Sequence, residues 1–164
     1  METGSLSVRA HVITVSDGVS AGARVDKSGP ALLEMLVQAR FQVSGPEVVP
    51  DDQGRISDAI VAAVVAGADV VVTTGGTGLG PRDVTPQATS KLIDYEVPGV
   101  AELMRRAGAS STPMSALSRG VAGVRGEALI INVPGSARGA TESLAAVIPV
   151  VEHAVNLLHG NTKH

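Results

Sequence analysis

Cysteine is absent from the sequence. Disulfides, thiolate nucleophiles and zinc–thiolate sites are therefore excluded at the outset. Aromatic side chains are almost absent too, with Phe41 and Tyr95 as the whole stock. A core must then be built from Val, Ile, Leu and Ala, and base-stacking recognition of single-stranded nucleic acid has no platform. Basic charge is also short: the formal net charge is −3, with 13 Lys and Arg against 16 Asp and Glu. No basic stripe is visible, so nucleic acid is not an expected partner. Long apolar runs are missing, because Pro or charged residues interrupt them, and Met1–Ser7 is polar. The expectation is no leader, no membrane span and a cytoplasmic location. The four histidines (His11, His153, His159 and His164) show no metal-ligand spacing and read as structural or solvated.

What is present is an aliphatic, glycine-rich chain of 164 residues, 44% hydrophobic and 18% charged. Such a chain is globular and of single-domain size. The expected organisation is one domain over 1–164, with 1–6 and 160–164 as loose ends. Val8–Val15 has the β-branched content of a strand. A polar loop follows over Ser16–Lys27. A helix is predicted from about Ser28-Gly29-Pro30, burying Leu32, Leu33, Leu36 and Val37. The next strand region, Phe41–Val49, is broken by Gly45-Pro46, which predicts pairing over Glu47–Val49 only. A helix over Gln53–Ala66, with Ile56, Ile60, Val61, Val64 and Val65 inward, leads to a strand at Asp69–Thr73. This β-α-β-α-β order predicts a three-layer α/β/α domain around a mostly parallel sheet. Later come a helix capped by Thr85 and begun by Pro86, a short helix over Val100–Ala107, and an edge strand near Val121–Arg125. A buried strand at Ala128–Ile131 and a long helix from about Ala140 to Leu158 complete the chain.

The candidate chemistry gathers on Val70–Ala88, VVVTTGGTGLGPRDVTPQA. A buried strand feeding a glycine-rich turn and then a helix is a phosphate-holding arrangement. Here Gly75, Gly76, Gly78 and Gly80 fall within six residues. The stretch is not a Walker A loop, because Pro81-Arg82 replaces Lys-Ser/Thr, and Pro81 also spoils the dinucleotide fingerprint. Arg82 offers a fork of donors, and Asp83 a ligand for magnesium. Asp51 follows the second strand as Asp83 follows the third. In a parallel sheet both loops lie at one edge, together with Ser16, Asp17 and the Asn132–Ser136 turn. Carboxylates repel phosphate unless a cation lies between them, so phosphate with Mg2+ fits better than phosphate alone. Local roles stay open beside these: Asp17 as a turn-maker, Asp51 or Asp52 as a helix cap, and Asp83 as a cap or a partner of Arg82. Ser118-Arg119 also reads as a helix end, and Asn132 as a turn fixer. Arg24 and Lys27 read as phosphate steerers or as solvated charges.

These residues carry a resemblance. TTGGTGLGPRDVTPQA, with SDG at 16–18, DKSGP at 26–30, VPDD at 49–52, TPMSALSR at 112–119 and INVPGS at 131–136, resembles the MogA/MoaB family. That family of molybdenum-cofactor biosynthesis proteins is related to the G domain of gephyrin, and the likeness runs from about Val8 to His159. It implies adenylyl transfer, in which ATP and molybdopterin give adenylyl-molybdopterin and pyrophosphate. It places the two essential aspartates on Asp51 and Asp83. Nucleotide or pterin contacts fall on Thr74, Gly75, Gly76, Thr77, Gly78, Ser118, Arg119, Asn132, Pro134 and Gly135. It further implies a homotrimer and a molybdate-insertion partner. The family also holds MoaB-type members whose adenylyl transfer is weak or absent, which leaves a non-catalytic pterin-binding or carrier role as the alternative. A general nucleotide-binding interaction module is the third reading. Two departures stand out: Gln87 where relatives often carry an acid, and Gly108 where some bear a serine.

Overall fold

The structure is a computed structural model and describes residues 6–162. The expectation of loose ends at 1–6 and 160–164 lies outside the described residues except at Leu6 and 160–162. In chain order the elements are β1 (Arg9–Val15), a short α1 (Asp17–Ser20), α2 (Ser28–Gln38), β2 (Gln42–Val49), α3 (Gln53–Val65) and β3 (Val70–Thr74). Then come α4 (Thr85–Ser90), β4 (Tyr95–Glu96), α5 (Pro98–Ala109), a 3₁₀ turn (Pro113–Leu117), β5 (Ala122–Arg125), β6 (Ala128–Val133) and α6 (Ala137–Leu158). One sheet takes the order β2-β1-β3-β6-β5-β4. Its first four strands are parallel, and β5 and β4 add on antiparallel.

The aliphatic composition explains the layering. Every residue of β3 and β6 is buried, as expected of strands covered on both faces. One face packs Val12, Val72, Leu129 and Ile131 against Leu32 and Leu36 of α2 and Leu144, Val147 and Val151 of α6. The other packs Ile13, Val71 and Ile130 against Ile56 and Ile60 of α3 and Ala88 of α4. The result is the expected three-layer α/β/α domain.

The connection after β1 leads to one side of the sheet, toward β2, and the chain after β3 leads to the other, toward β6. The carboxyl ends of β1 and β3 therefore flank a topological switch point, the crevice where open α/β sheets place ligands.

Several local expectations change. The loop after β1 contains a helical turn, α1, capped by Ser16, whose Oγ accepts from the Val19 N–H. β2 pairs along its whole length, because a bulge at Gly45-Pro46 absorbs the interruption. Val37 and Val65 are 54% and 81% exposed, since Leu36, Ala59 and Ala63 fill the inward positions expected of them. Thr85 does not cap α4. It is fully buried, and its hydroxyl donates to the Gly75 carbonyl. α6 begins at Ala137, three residues before the expected start, because Ser136 caps it by accepting from the Gly139 N–H.

Candidate active site

The acids expected to converge do converge. Asp51, Asp83 and Asp17 line one cleft with Ser16, Thr74, Gly75, Gly76, Gly135 and the start of α6. The loops after β1 and β2 are tied reciprocally. The Asp17 N–H donates to Asp51 Oδ2 at 2.8 Å, and the Asp51 N–H donates to Asp17 Oδ1 at 3.0 Å. Arg82 grips Asp17 from outside, Nε to Oδ2 at 2.9 Å and Nη2 to Oδ1 at 3.0 Å. It does not pair with neighbouring Asp83, whose Oδ2 instead accepts the Gly80 N–H and closes the turn. Asp52 takes the capping role at α3, accepting from the Arg55 N–H. Asp51 and Asp83 are thus each left with one carboxylate oxygen without a protein partner among the described residues.

The electrostatics follow from this packing. The Arg82 guanidinium, helped by the Asp51 N–H, holds the Asp17 carboxyl below the ordinary aspartate value. Asp51 moves the other way. Partial burial raises it, the Asp17 N–H opposes the rise, and the charges of Asp17 and Asp83 add to it. Four carboxylates of the cleft (Asp17, Asp26, Asp51 and Asp83) face Arg24, Lys27 and Arg82, a formal charge of −1, and the acids gather beside the glycine loop, where a divalent cation would relieve them.

The glycine loop is held by close contacts. Gly75 (φ 103°) and Gly76 (φ 69°) both adopt conformations that L side chains avoid. A Cβ on Gly75 would strike the Val15 carbonyl, and one on Gly76 would strike the Thr85 hydroxyl and lie 3.2 Å from Asp51 Oδ1. The main-chain N–H groups of Gly76, Thr77 and Gly78 have no acceptor among the described residues. Gly135 brings the second loop against the first; a Cβ there would sit 3.2 Å from the Gly75 Cα.

Arg119 and Asn132 turn inward. Arg119 donates through Nε to the Gly78 carbonyl at 2.9 Å and through Nη2 to the Asp83 carbonyl at 2.8 Å, with Gln87 at 3.4 Å from Nη1. Its guanidinium therefore straps the glycine loop across its span. Asn132 is buried; its Nδ2 donates to Thr73 and Thr89, and its Oδ1 accepts from the Val121 N–H. Thr74 is buried as well, donating to the Pro134 carbonyl at 2.8 Å and lying 3.0 Å from Ser28 Oγ. Thr77, Gly78, Ser118, Asn132 and Pro134 line a second cavity of about 320 Å³ on the α5–α6 side of the loop. Gly108 belongs to that wall, and a Cβ there would come within 2.8 Å of Ser115. A serine at 108 would therefore need Ser115 to move.

Sequence reasoning missed three contributors. The first is the start of α6, where Ser136 and Ala137 line the cleft; the Ser136 cap was the available signal. The second is Arg105, which donates to the carbonyls of Ser118 and Gly120. The third is Asp26, which accepts from Thr14 and from the Gly29 N–H and fixes the start of α2.

Comparison with known proteins places this geometry in a family. Residues 11–153 match a family described as "Probable molybdopterin binding domain". The chain is 40% identical over 159 residues to the "Molybdenum cofactor biosynthesis bifunctional protein" of Synechococcus elongatus, covering 96% of this chain and 50% of that one. It thus spans only half the length of that relative. It is 37% identical to the "Molybdopterin adenylyltransferase" of Helicobacter pylori, covering 94% of this chain and 90% of that one. The crystal structure of the "Molybdopterin biosynthesis enzyme MoaB" from Thermus thermophilus superposes with a TM-score of 0.87 at 51% identity, over 93% of this chain and 97% of that one. The chain belongs to the molybdopterin-binding domain family of molybdenum-cofactor biosynthesis proteins.

Proposed function

We propose that the chain transfers the adenylyl group of ATP to molybdopterin, with Mg2+ held by Asp51 and Asp83. The observation that carries this reading is the pair of half-used carboxylates facing the glycine loop beside the start of α6. Among the described residues no group of three or more His, Cys, Asp or Glu forms a metal cage. Two carboxylates, with the remaining positions left to phosphate and water, are what Mg2+ uses beside nucleotides. The relatives named molybdopterin adenylyltransferase support the same chemistry.

The reaction joins two anions: the terminal phosphate of the pterin attacks the α-phosphorus of ATP, and pyrophosphate leaves. The protein needs no covalent nucleophile for this; it must bring the reactants in line and offset their repulsion. Held by Asp51 and Asp83, Mg2+ supplies that charge neutralisation. The free N–H groups of Gly76, Thr77 and Gly78 and the N-terminus of α6 cradle phosphate oxygens. Asp17 keeps Asp51 turned toward the cleft, and Arg119 keeps the loop open. Ser118, Pro134 and the second cavity receive the pterin side of the substrate. The non-catalytic carrier reading accounts for that cavity but leaves the two free carboxylate oxygens without a task.

The test is pyrophosphate release from ATP, Mg2+ and molybdopterin by the purified protein. Asp51→Ala and Asp83→Ala should each lower turnover by about 10³-fold or more, the scale of removing a main charge-stabilising group. Both should keep the wild-type circular dichroism and melting cooperativity. Wild-type molybdopterin binding without ATP-dependent product would favour the carrier role instead.

A further inference from the structure

The histidine in β1 and the Gly-Pro break in β2 meet at a place the adenylyl-transfer reading leaves unused. On the α3 side of the β1–β2 edge, a separate cleft of about 430 Å³ is lined by Arg9, His11, Ser44, Glu47 and the alanines of α3. It shares no residue with the acidic cleft, and its size is that of small-ligand clefts, about 300–1,000 Å³.

The bulge builds it. His11 stands opposite Ser44 and Ile13 opposite Glu47, so two steps on β1 match three on β2. Side chains alternate along a strand, and without the extra residue Glu47 would face away from Ser44. With it, both side chains share the face of His11. Nδ1 of His11 lies 2.7 Å from Ser44 Oγ, and Nε2 lies 3.0 Å from Glu47 Oε2. The carboxylate can only accept, so its contact assigns the ring proton to Nε2. Nδ1 then presents a lone pair, and the Ser44 hydroxyl donates to it. Nucleophile, base and orienting acid thus stand in working order. Arg9, two residues before His11 on the same strand face, lays its guanidinium against Gly67, with no hydrogen-bond or ion-pair partner for it among the described residues. Ala62, Ala63, Ala66 and Ala68 leave room where larger side chains would fill the cleft.

We propose that Ser44 is the nucleophile of a second catalytic centre, which hydrolyses small carboxylic esters whose negative charge pairs with Arg9. The Ser44 oxygen attacks the ester carbonyl while its proton passes to His11 Nδ1. The C–O bond to the alcohol then breaks, and the alcohol leaves with that proton. An acyl-serine remains. Water attacks it with His11 again as base, releasing the acid and restoring the hydroxyl.

The experiment uses the full chain and two readouts. Peptide mass spectrometry after treatment with a fluorophosphonate should find the adduct on Ser44. Nitrophenol release above the enzyme-free rate should be faster from mono-(4-nitrophenyl) adipate, whose carboxylate is too far along the chain to attack its own ester efficiently, than from the neutral 4-nitrophenyl acetate. Ser44 is exposed, so Ser44→Ala should fold and lose both signals. His11→Gln should slow release about 100-fold or more, the usual worth of a positioned base. Arg9→Ala should slow the adipate ester more than the acetate, so that the ratio of the two rates falls. Absence of a Ser44 adduct on the folded protein would overturn the proposal, as would nitrophenol release that survives in Ser44→Ala.

Discussion

Replacing Gly76 with alanine tests how tightly the glycine loop is built. Gly76 has φ 69°, and Gly22, in the loop after α1, has a similar φ of 74°. Their surroundings differ. A Cβ on Gly22 meets nothing within 4 Å, whereas one on Gly76 strikes the Thr85 hydroxyl and presses on Asp51. Gly22→Ala should therefore show the left-handed backbone penalty alone, about 1–2 kcal/mol. In Gly76→Ala, Thr85 must also move. It is fully buried and donates to the Gly75 carbonyl at 2.9 Å, so displacing it strands two polar groups. That adds about 1–3 kcal/mol, giving about 2–5 kcal/mol in all. At about 2–4 °C per kcal/mol for a chain of this size, Gly22→Ala should melt a few degrees low and Gly76→Ala roughly 5–15 °C low. Calorimetry of the two variants gives the comparison, and calorimetric titration with Mg-ATP gives a second one, because only Gly76→Ala pushes Asp51. Equal melting losses in the two variants would refute the packing argument, since the difference between them is the contact with Thr85.

Three further outcomes follow from the same site. Asp51 is raised by burial and by the charges of Asp17 and Asp83, so ¹³C carboxyl titration should show its midpoint falling in Asp83→Asn and rising in Arg82→Ala, which removes an opposing positive charge. Asp17 behaves in the opposite sense: its lowered value contributes stability above the ordinary aspartate pKa of 3.8, lost as pH falls through the lowered value. That acid-side loss should shrink in Arg82→Ala, which leaves only the Asp51 N–H to lower Asp17, read by denaturant midpoints across the same pH range. Arg119→Lys cannot span the carbonyls of Gly78 and Asp83 together; it should cost about 1.5–3 kcal/mol and raise the KM for ATP, with an unchanged melting point counting against the strap. Light scattering should give three times the 16.5 kDa chain mass if the trimer implied by the family likeness forms, and a monomer mass would remove it.

Much of the architecture was legible because it depends on local signals. β-branched runs marked β1, β3 and β6, and the order of strands and helices dictated a parallel sheet whose loops share an edge. Asp51 and Asp83 could be brought together from topology alone. What escaped depends on contacts distant in sequence. Arg119 reads as a ligand contact until its partners, some forty residues upstream, are visible. Thr85 precedes a proline and looks like a cap, but burial against Gly75 claims its hydroxyl. Gly45-Pro46 looks like a strand break because proline lacks a donor, yet an edge strand can absorb it in a bulge. Val37 and Val65 show that helical spacing defines a stripe without saying which of its margins the sheet will cover.

The mutual grip of Asp17 and Asp51 has a mechanical meaning. Each side chain clasps the other's main chain, so neither acid can swing toward a ligand without dragging the opposite loop along. Two segments more than thirty residues apart in the chain move as one hinge-free block. Whatever settles in that crevice meets a wall set during folding, and the work of aiming it was done before any guest arrived.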